Sequence, residues 1–346
     1  MLVAQPFASR LVGDASLSRR PMDRVARPLR LRGARIEGRL DPARPGETTA
    51  PLSIEPLPAV QPLSAIEYEL PVASAQVKSA LLLSGLWADG ATWLREATVS
   101  RDHTERMMRA LGVPVHGVGG MVELDPSSWS RALPAFELTV PGDISAAAFL
   151  LAAAMLVPES RVDVRAVGHN PTRTGVLDVL RDMGAAVQVT PRGDELGEPV
   201  ADLAAASAPL IGARLGGETL LRAIDEVPAL CVLAARARGT TTIGDAAELR
   251  VKESDRIAAM VRVLRAFGVG VEEHADGMVV EGRPDGALSA AVIDPEGDHR
   301  VAMSAAVLAL AGAGPSRIRN ADCIAVSFPR FVGTLRALGA TLEVTS

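Results

Sequence analysis

Apolar residues recur at helical spacing in five segments of the chain, and in each segment a glycine follows and then a short apolar run. The segments are residues 22–38, 104–115, 174–189, 255–273 and 329–344, with glycines at Gly33, Gly112, Gly184, Gly268 and Gly339. Glycine readily adopts the left-handed conformation that stops a helix. The pattern therefore predicts five helices that each end at a glycine and lead into a strand.

Four other segments are rich in small apolar residues and predict a helix followed by a strand. They are residues 73–96, 143–167, 226–245 and 299–321. Repeated alternation of helix and strand indicates one supersecondary module that is used several times, and hence an α/β fold. Between the modules, residues 41–62 predict a loop with short strands, and residues 194–215 predict a loose insertion.

The first glycine-ended helix differs from the others because only residues 1–11 precede it. Residues 1–5 have the pattern of the tail of a small-residue helix, so we expect the first module to be incomplete. An irregular cap is the alternative, since terminal repeats are often atypical. The heavier small-residue helices begin after Pro141, and we predict two domains, residues 1–138 and 139–346.

Composition argues against several functional classes. The 346 residues carry a net charge of −5 and 3% aromatic residues, whereas nucleic-acid binders show a basic excess and stacking rings. The apolar runs are shorter than the ~20 residues that a membrane span needs, and the N-terminus lacks a signal-peptide pattern. We therefore expect a soluble cytoplasmic protein. Cys231 and Cys323 lie in apolar surroundings and predict neither a disulfide framework nor a metal site.

Residues 248–256, Glu-Leu-Arg-Val-Lys-Glu-Ser-Asp-Arg, are the first candidate for chemistry because six of the nine are charged. They lie between a predicted strand, Thr240–Ile243, and an apolar helix. If that helix begins near Lys252, then Lys252 and Arg256 share one helix face, a like-charge pair that a bound phosphate or carboxylate would neutralise. The alternative is a solvated helix start whose cations pair with the acidic residues of the same stretch.

Lysine is rare in this chain. Of 36 basic residues only Lys78 and Lys252 are lysines. An ammonium differs from a guanidinium in hydrogen-bond geometry and in how readily its pKa shifts, so a retained lysine can mark a chemical requirement. Because the chain has only two lysines, their occurrence at these positions by chance is the alternative explanation.

Polar residues also collect where the predicted helices begin. They include Arg19 and Arg20, Ser74 and Gln76, residues 100–103, Asn170 and Arg173, Asp225 and Glu226, and residues 298–300. Taken singly, each is more simply explained as a capping residue or a surface arginine. Their recurrence at one end of successive modules predicts a cleft for a ligand with several negative charges.

These residues resemble the 3-phosphoshikimate 1-carboxyvinyltransferase family, also called 5-enolpyruvylshikimate-3-phosphate (EPSP) synthase, and within it the class II, glyphosate-tolerant type. The motifs that carry the resemblance follow the family's order along the chain. They are Gly13-Asp14-Ala15-Ser16-Leu17, Arg20-Pro21-Met22, residues 73–79, residues 100–105, residues 170–175, Ile224-Asp225-Glu226, residues 249–256 and residues 298–303.

The resemblance implies an inside-out α/β fold of two domains, built from βαβαββ repeats and closing on shikimate 3-phosphate and phosphoenolpyruvate. It implies transfer of the enolpyruvyl group to the 5-hydroxyl of shikimate 3-phosphate with release of phosphate, in the pathway to chorismate and the aromatic amino acids. Domain 1–138 would then be the shikimate-phosphate side. The protein would be a monomer that needs neither a metal nor an organic cofactor.

The same resemblance assigns roles to individual residues. Asp225 would accept the 5-hydroxyl proton, and Lys252 with Glu253 would handle protons at the enol carbon. Shikimate 3-phosphate would contact Ser74, Ala75, Gln76, Ser100, Asp225 and Lys252. Phosphoenolpyruvate would contact Arg20, Gln76, Arg256 and Arg300. These roles agree with the chemistry, because adding an alcohol to an enol ether requires a base, an acid and fixed cations.

Two motifs of the family have no counterpart in this sequence, an N-terminal Gly-Ser-Lys-Ser with its downstream arginine and a Gly-Asn-(Ala/Ser)-Gly-Thr motif. We therefore expect that roughly 100 residues are missing and that turnover is strongly impaired. One alternative is thus a truncated relative that at most binds shikimate 3-phosphate. Another is the related transferase that acts on UDP-N-acetylglucosamine, but that enzyme needs a reactive loop cysteine, whereas Cys231 lies in an apolar helix.

Overall fold

The computed structural model describes residues 1–14, 17–42, 44–58 and 61–345, so the motif residues Ala15 and Ser16 lie outside the described residues. The chain forms two compact units. The first unit is Met1–Thr139 with Leu196–Glu198, and the second is Val140–Glu195 with Pro199–Ser346. That the first unit is the shikimate-phosphate side stays a prediction.

The first unit contains two sheets. One is antiparallel in the order β1-β3-β2, with β1 (Ser9–Leu11), β2 (Ile36–Leu40) and β3 (Thr48–Ile54), and α1 (Asp23–Leu31) precedes β2. The other has the order β4-β5-β7-β6, with β4 (Ile66–Leu70), β5 (Thr92–Glu96), β6 (Val115–Val118) and β7 (Met121–Leu124). Helices α2 (Ala75–Gly85) and α3 (His103–Ala110) accompany this sheet. The pair β4–β5 is parallel, which requires α2 as its crossover connection.

The second unit begins with α4 (Ile144–Leu156), β8 (Arg161–Gly168), α5 (Gly175–Asp182), β9 (Gln188–Glu195) and β10 (Glu198–Ala206), whose strands pair in the order β8-β10-β9. Next come β11 (Arg214–Leu215), α6 (Gly217–Ala223), α7 (Val227–Ala234), β12 (Thr240–Ile243), α8 (Arg256–Ala266), β13 (Gly270–His274) and β14 (Gly277–Glu281), with the sheet order β11-β12-β14-β13. The last elements are β15 (Val292–Ile293), α9 (His299–Ala309), β16 (Arg317–Ile318), α10 (Ile324–Ser327) and α11 (Phe331–Ala337).

The core of the second unit is made by the small-residue helices α4, α7 and α9, which pack against one another. Phe149 and Leu151 of α4, Cys231 of α7 and Val307 of α9 are fully buried. A helix that is apolar on all sides must be buried on all sides. This explains why these segments carry alanine and few charges, whereas the amphipathic helices end at the surface with a glycine.

The predicted glycine turns are confirmed. All five glycines have a left-handed backbone, with φ values of 101°, 77°, 79°, 79° and 100° in chain order. Strands follow the first four as predicted, beginning at Ile36, Val115, Gln188 and Gly270. The fifth prediction is wrong, because the described residues after Gly339 contain no strand.

The predicted loose insertion at residues 194–215 is also wrong. Its middle is the nine-residue strand β10, which pairs with β8 from Val200 to Ala206. Alanine has a low intrinsic strand preference, but burial of Ala201, Leu203 and Ala205 between neighbouring elements outweighs it. Residues 2–4, predicted as a helix tail, form one 3₁₀ turn. No helix in the described ranges is long and apolar enough to cross a membrane.

Candidate active site

The charged stretch differs in one respect from its prediction. Helix α8 begins at Arg256 and not near Lys252, because Asp255 is its N-cap and accepts a hydrogen bond from the amide of Ala258 at 3.0 Å. Lys252 lies before the helix, directly after a 3₁₀ turn, Ala247–Val251. It therefore does not share a helix face with Arg256. Aspartate is a preferred N-cap residue, so this start could have been read from the sequence.

The structure shows the alternative arrangement, in which the cations of residues 248–256 pair with acidic residues of the same stretch. Lys252 Nζ lies 2.7 Å from Glu248 Oε1, and Arg250 Nη1 lies 2.7 Å from Asp255 Oδ2. Arg256 pairs with Glu253 through Nη2. The like-charge argument for a bound anion at this helix start therefore fails, and any role of these residues must rest on what else they contact.

Three of the predicted site residues converge on a fourth, Asp225, in the turn between α6 and α7. Asp225 Oδ1 lies 3.8 Å from Arg256 Nη1 and 4.0 Å from Lys252 Nζ. The backbone carbonyl of Asp225 accepts a hydrogen bond from Arg300 Nη1 at 2.8 Å. The Asp225 side chain is 15% exposed, so a small ligand can reach it. Three cationic side chains thus surround Asp225, two near its carboxylate and one at its backbone carbonyl, and the group is assembled from three separate segments of the chain.

Asp298, which appears in the sequence analysis among the cleft and motif residues without an individual role, holds this arrangement. Its fully buried carboxylate accepts hydrogen bonds from Arg256 Nε at 2.8 Å and Ser254 Oγ at 3.0 Å, and from the amide of Arg300 at 2.9 Å as the N-cap of α9. Burial alone would raise the pKa of Asp298, but the charge and hydrogen bonds of Arg256 outweigh it and lower the pKa below 3.8. Asp298 stays ionised and fixes both Arg256 and the start of α9.

Arg300 differs from the other cations of the cluster. Within the described part of the chain it forms no ion pair with a carboxylate, whereas Lys252 and Arg256 both do. Its described polar contact is with the uncharged carbonyl of Asp225. The positive charge of Arg300 is therefore the one in this cluster most available to an anionic ligand.

A second buried group lies next to Asp225 in sequence. Glu226 is fully buried, accepts a hydrogen bond from Ser145 Oγ and has Arg173 Nη2 at 3.4 Å from its Oε1. Burial raises the pKa of Glu226, and the charge of Arg173 opposes this rise. Its Oε2 and the Nε of Arg173 have no hydrogen-bond partner among the described residues. Arg173 and Glu226 appear in the sequence analysis as polar residues near helix starts and as members of family motifs, but neither has an individual role there.

In the first unit, the predicted shikimate-phosphate residues lie at the start of α2. Ser74 is the N-cap and accepts a hydrogen bond from the amide of Val77 at 3.4 Å, and Ala75 is the first residue of the helix. Gln76 is exposed, and its Oε1 accepts a hydrogen bond from Arg24 Nη2 at 2.6 Å. A helix N-terminus with free backbone amides is suited to phosphate. Arg20 follows the 3₁₀ turn Leu17–Arg19 and is half-buried.

Lys78, one turn further along α2, is buried with 1% of its side chain exposed. Its Nζ lies 2.9 Å from Glu96 Oε2, 2.8 Å from Glu105 Oε1 and 3.2 Å from the carbonyl of Ser100. An ammonium group has three N–H donors, and each has an acceptor here. Three donors around one nitrogen suit lysine and not the planar guanidinium of arginine, which explains the retained lysine at this position.

Two further features bear on the chemistry. Burial raises the pKa of the Cys231 thiol to about 12, so this cysteine is not a nucleophile. Among the described residues, no group of three His, Cys, Asp or Glu side chains could hold a metal ion.

Comparison with known proteins first defines the fold. EPSP synthase from Acinetobacter baumannii matches with a TM-score of 0.87 and 42% identity, over 100% of this chain and 76% of that protein. The enolpyruvyl transferase NikO from Streptomyces tendae matches with a TM-score of 0.76 at 20% identity, over 99% of this chain and 76% of that protein, and shows likeness of fold alone. The predicted enolpyruvyl-transferase type of α/β fold is confirmed.

The sequence comparisons then define the family. The EPSP synthase (3-phosphoshikimate 1-carboxyvinyltransferase) family model matches residues 1–335. The 3-phosphoshikimate 1-carboxyvinyltransferase of Geobacter sulfurreducens is 48% identical over 97% of this chain and 75% of its own length. That of Geobacillus kaustophilus is 44% identical over 98% of this chain and 76% of its own length. The chain belongs to the EPSP synthase family of carboxyvinyl transferases.

Proposed function

We propose that this chain transfers the enolpyruvyl group of phosphoenolpyruvate to the 5-hydroxyl of shikimate 3-phosphate and releases phosphate. The observation that carries the proposal is the convergence of Lys252, Arg256 and Arg300 on Asp225, within a chain whose relatives bear the name of that activity. The reaction joins two anionic substrates through proton transfers, and this cluster offers a base, an acid and fixed cations.

Asp225 is the proposed acceptor of the 5-hydroxyl proton. Its carboxylate is partly open to solvent and lies 4.0 Å from Lys252 Nζ and 3.8 Å from Arg256 Nη1. The ammonium of Lys252, 4.0 Å away, is proposed to deliver a proton to the enol carbon and to contact shikimate 3-phosphate. We propose that Glu253, which pairs with Arg256, acts together with Lys252 in transferring protons at the enol carbon.

Arg256 and Arg300 are the proposed clamp for the carboxylate and phosphate of phosphoenolpyruvate. Asp298 already holds Arg256 through Nε, so the guanidinium is oriented before any ligand arrives, and this reduces the cost of ordering it on binding. Arg300 adds a charge that forms no ion pair with a described carboxylate. From the first unit, we propose that Arg20 and Gln76 also contact phosphoenolpyruvate.

The proposed contacts of the first unit with shikimate 3-phosphate are Ser74, Ala75, Gln76 and Ser100. The N-terminus of α2 supplies backbone amides whose partial positive charge favours the phosphate. We also propose that the protein is a monomer and acts in the cytoplasm. Sedimentation of the purified protein would test its oligomeric state.

The proposal is tested by incubating the 346-residue chain with shikimate 3-phosphate and phosphoenolpyruvate and measuring released phosphate and enolpyruvyl product. We expect both products in equal amounts, and neither when one substrate is omitted or when UDP-N-acetylglucosamine replaces shikimate 3-phosphate. Calorimetric binding of shikimate 3-phosphate without any turnover would overturn the proposal in favour of a binding-only relative. Turnover with UDP-N-acetylglucosamine would overturn it in favour of the related transferase.

A further inference from the structure

The buried Lys78 joins three elements of the first unit. It lies on α2, and its ammonium donates to Glu96 at the end of β5, to Glu105 on α3 and to the carbonyl of Ser100 in the loop between β5 and α3. Because all three N–H donors have acceptors and the group is shielded from water, the ammonium has one favoured position. Lys78 has no contact with solvent through which it could take part in the reaction directly.

Glu96 extends this arrangement to Ser100. Its carboxylate accepts the ammonium of Lys78 at 2.9 Å, the amide of Ser100 at 3.2 Å and the hydroxyl of Ser100. The two donors and the carbonyl oxygen of Ser100 are therefore all engaged by the Lys78–Glu96 pair. A residue held at its amide, its carbonyl and its hydroxyl has little freedom of backbone or side chain.

The second carboxylate around Lys78 differs from the first. Glu105 accepts the ammonium at 2.8 Å through Oε1, but its Oε2 has no hydrogen-bond partner among the described residues. Burial raises the pKa of Glu105, opposed by the charge of Lys78. Glu96 and Glu105 thus share the same cation, but only Glu96 holds Ser100.

We propose that the buried Lys78–Glu96 pair is a positioning pair for Ser100 and ties it to α2, the helix that begins with Ser74, Ala75 and Gln76. The pair touches no substrate and acts through Ser100. The inference rests on the proposed function in one respect, since it takes Ser100 and the start of α2 as contacts of shikimate 3-phosphate.

Two matched variants of the full chain test the proposal, Glu96→Gln and Glu105→Gln. Each removes one carboxylate from the same ammonium and preserves side-chain volume. A glutamine at position 96 keeps one acceptor oxygen and places an amide group against the donors of Ser100, whereas a glutamine at position 105 leaves Ser100 untouched. If the carboxylates served charge balance alone, the two variants would behave alike.

The first measurement is amide hydrogen exchange of Ser100 without ligand. We expect exchange to be at least about tenfold faster in Glu96→Gln, since a buried amide loses its charged acceptor, and unchanged in Glu105→Gln. The second is calorimetric titration with shikimate 3-phosphate, in which Kd should rise at least about tenfold in Glu96→Gln and stay within about twofold in Glu105→Gln. Cooperative urea unfolding of both variants shows that they fold.

Equal changes in the two variants, or no change in Glu96→Gln, would overturn the positioning role. Failure of the proposed function has a different signature. In that case the unmodified chain does not bind shikimate 3-phosphate, while the exchange of Ser100 still separates Glu96→Gln from Glu105→Gln. If Glu96→Gln proves unfolded, the double variant Lys78→Met with Glu105→Gln replaces it, since it removes the cation together with one carboxylate. Faster Ser100 exchange and a higher Kd for shikimate 3-phosphate in that variant would support the positioning role, and unchanged values would overturn it.

Discussion

The two lysines of the chain lie in opposite environments. Lys78 in the first unit is 1% exposed, and its three donors are all taken by buried acceptors. Lys252 in the second unit is 22% exposed, with Glu248 at 2.7 Å and Asp225 at the longer distance of 4.0 Å. An ammonium whose hydrogen bonds are complete holds structure together, whereas one at a partly open carboxylate pair can exchange partners when a ligand arrives.

Two buried carboxylates, Asp298 and Glu105, also differ between the units, because their pKa values shift in opposite directions. Asp298 in the second unit is buried, but a buried guanidinium and a helix start compensate it, and its pKa is lowered. Glu105 in the first unit shares its one cation with Glu96 and keeps an unpartnered oxygen, and its pKa is raised. Burial of an acidic group therefore has no fixed effect on its pKa, because the surrounding charges and hydrogen bonds decide the direction of the shift.

The largest expected effect is on catalysis in the second unit. We expect Asp225→Asn to reduce kcat by about 10²–10⁴, the usual contribution of a positioned general base. The measurement is phosphate release with both substrates. Asp182→Asn, an exposed carboxylate of α5, is the matched control and should retain full turnover. Undiminished turnover in Asp225→Asn would place the proton acceptor elsewhere.

The comparison of the two lysines is tested most directly by replacing each with methionine. Lys78→Met leaves Glu96 and Glu105 buried without their cation, and we expect the free energy of unfolding to fall by about 3–5 kcal/mol. Lys252→Met removes a partly exposed pair, and we expect a fall of about 1 kcal/mol or less together with loss of turnover. Urea unfolding measures both values. Equal losses of stability would show that the two environments do not differ as described.

A smaller effect is expected from Arg300, which forms no ion pair with a described carboxylate. Arg300→Gln should raise KM for phosphoenolpyruvate about tenfold or more, because a hydrogen bond to a charged group contributes about 1.5–3 kcal/mol. Arg319→Gln, an exposed arginine, is the control. A fall in kcat with unchanged KM would instead mean that Arg300 acts by holding the carbonyl of Asp225.

The smallest expected effect is a dependence of stability on pH. The pKa of Glu105 is raised in the folded protein from an ordinary value of 4.5, so its contribution to stability is fully present below pH 4.5 and is lost as pH rises through the folded pKa. The difference in unfolding free energy between the unmodified protein and Glu105→Gln should therefore shrink with rising pH.

For Asp298 we expect the opposite dependence on pH of the difference in unfolding free energy between the unmodified protein and the variant. Its pKa is lowered from 3.8, so its contribution is present above pH 3.8 and is lost as pH falls through the folded pKa. The difference between the unmodified protein and Asp298→Asn should grow from acid to neutral pH. Urea unfolding at several pH values measures both differences, and slopes of the same sign would contradict the contrast between the two carboxylates.

Local features of the fold could be predicted from the sequence because they depend on residues close together in the chain. Gly33 and Gly268 stop helices through their own backbone freedom, and the small-residue pattern of α4 marks it as buried on all sides. The start of α8 was misplaced although Asp255 carried the signal for it. The family motifs are also local, and they were sufficient to identify the family.

Only the tertiary structure decided which charges meet. Arg256 and Asp298 are separated by 42 residues, and Ser145 and Glu226 by 81, so no spacing rule pairs them. The strand β10 was missed for the same reason, because its stability comes from pairing with β8 and not from its alanines. By itself the sequence determined where helices stop, which faces are buried and which residues carry charge. The partners of those charges depend on how distant segments pack, and these partners make Lys78 structural and leave Lys252 open to a ligand.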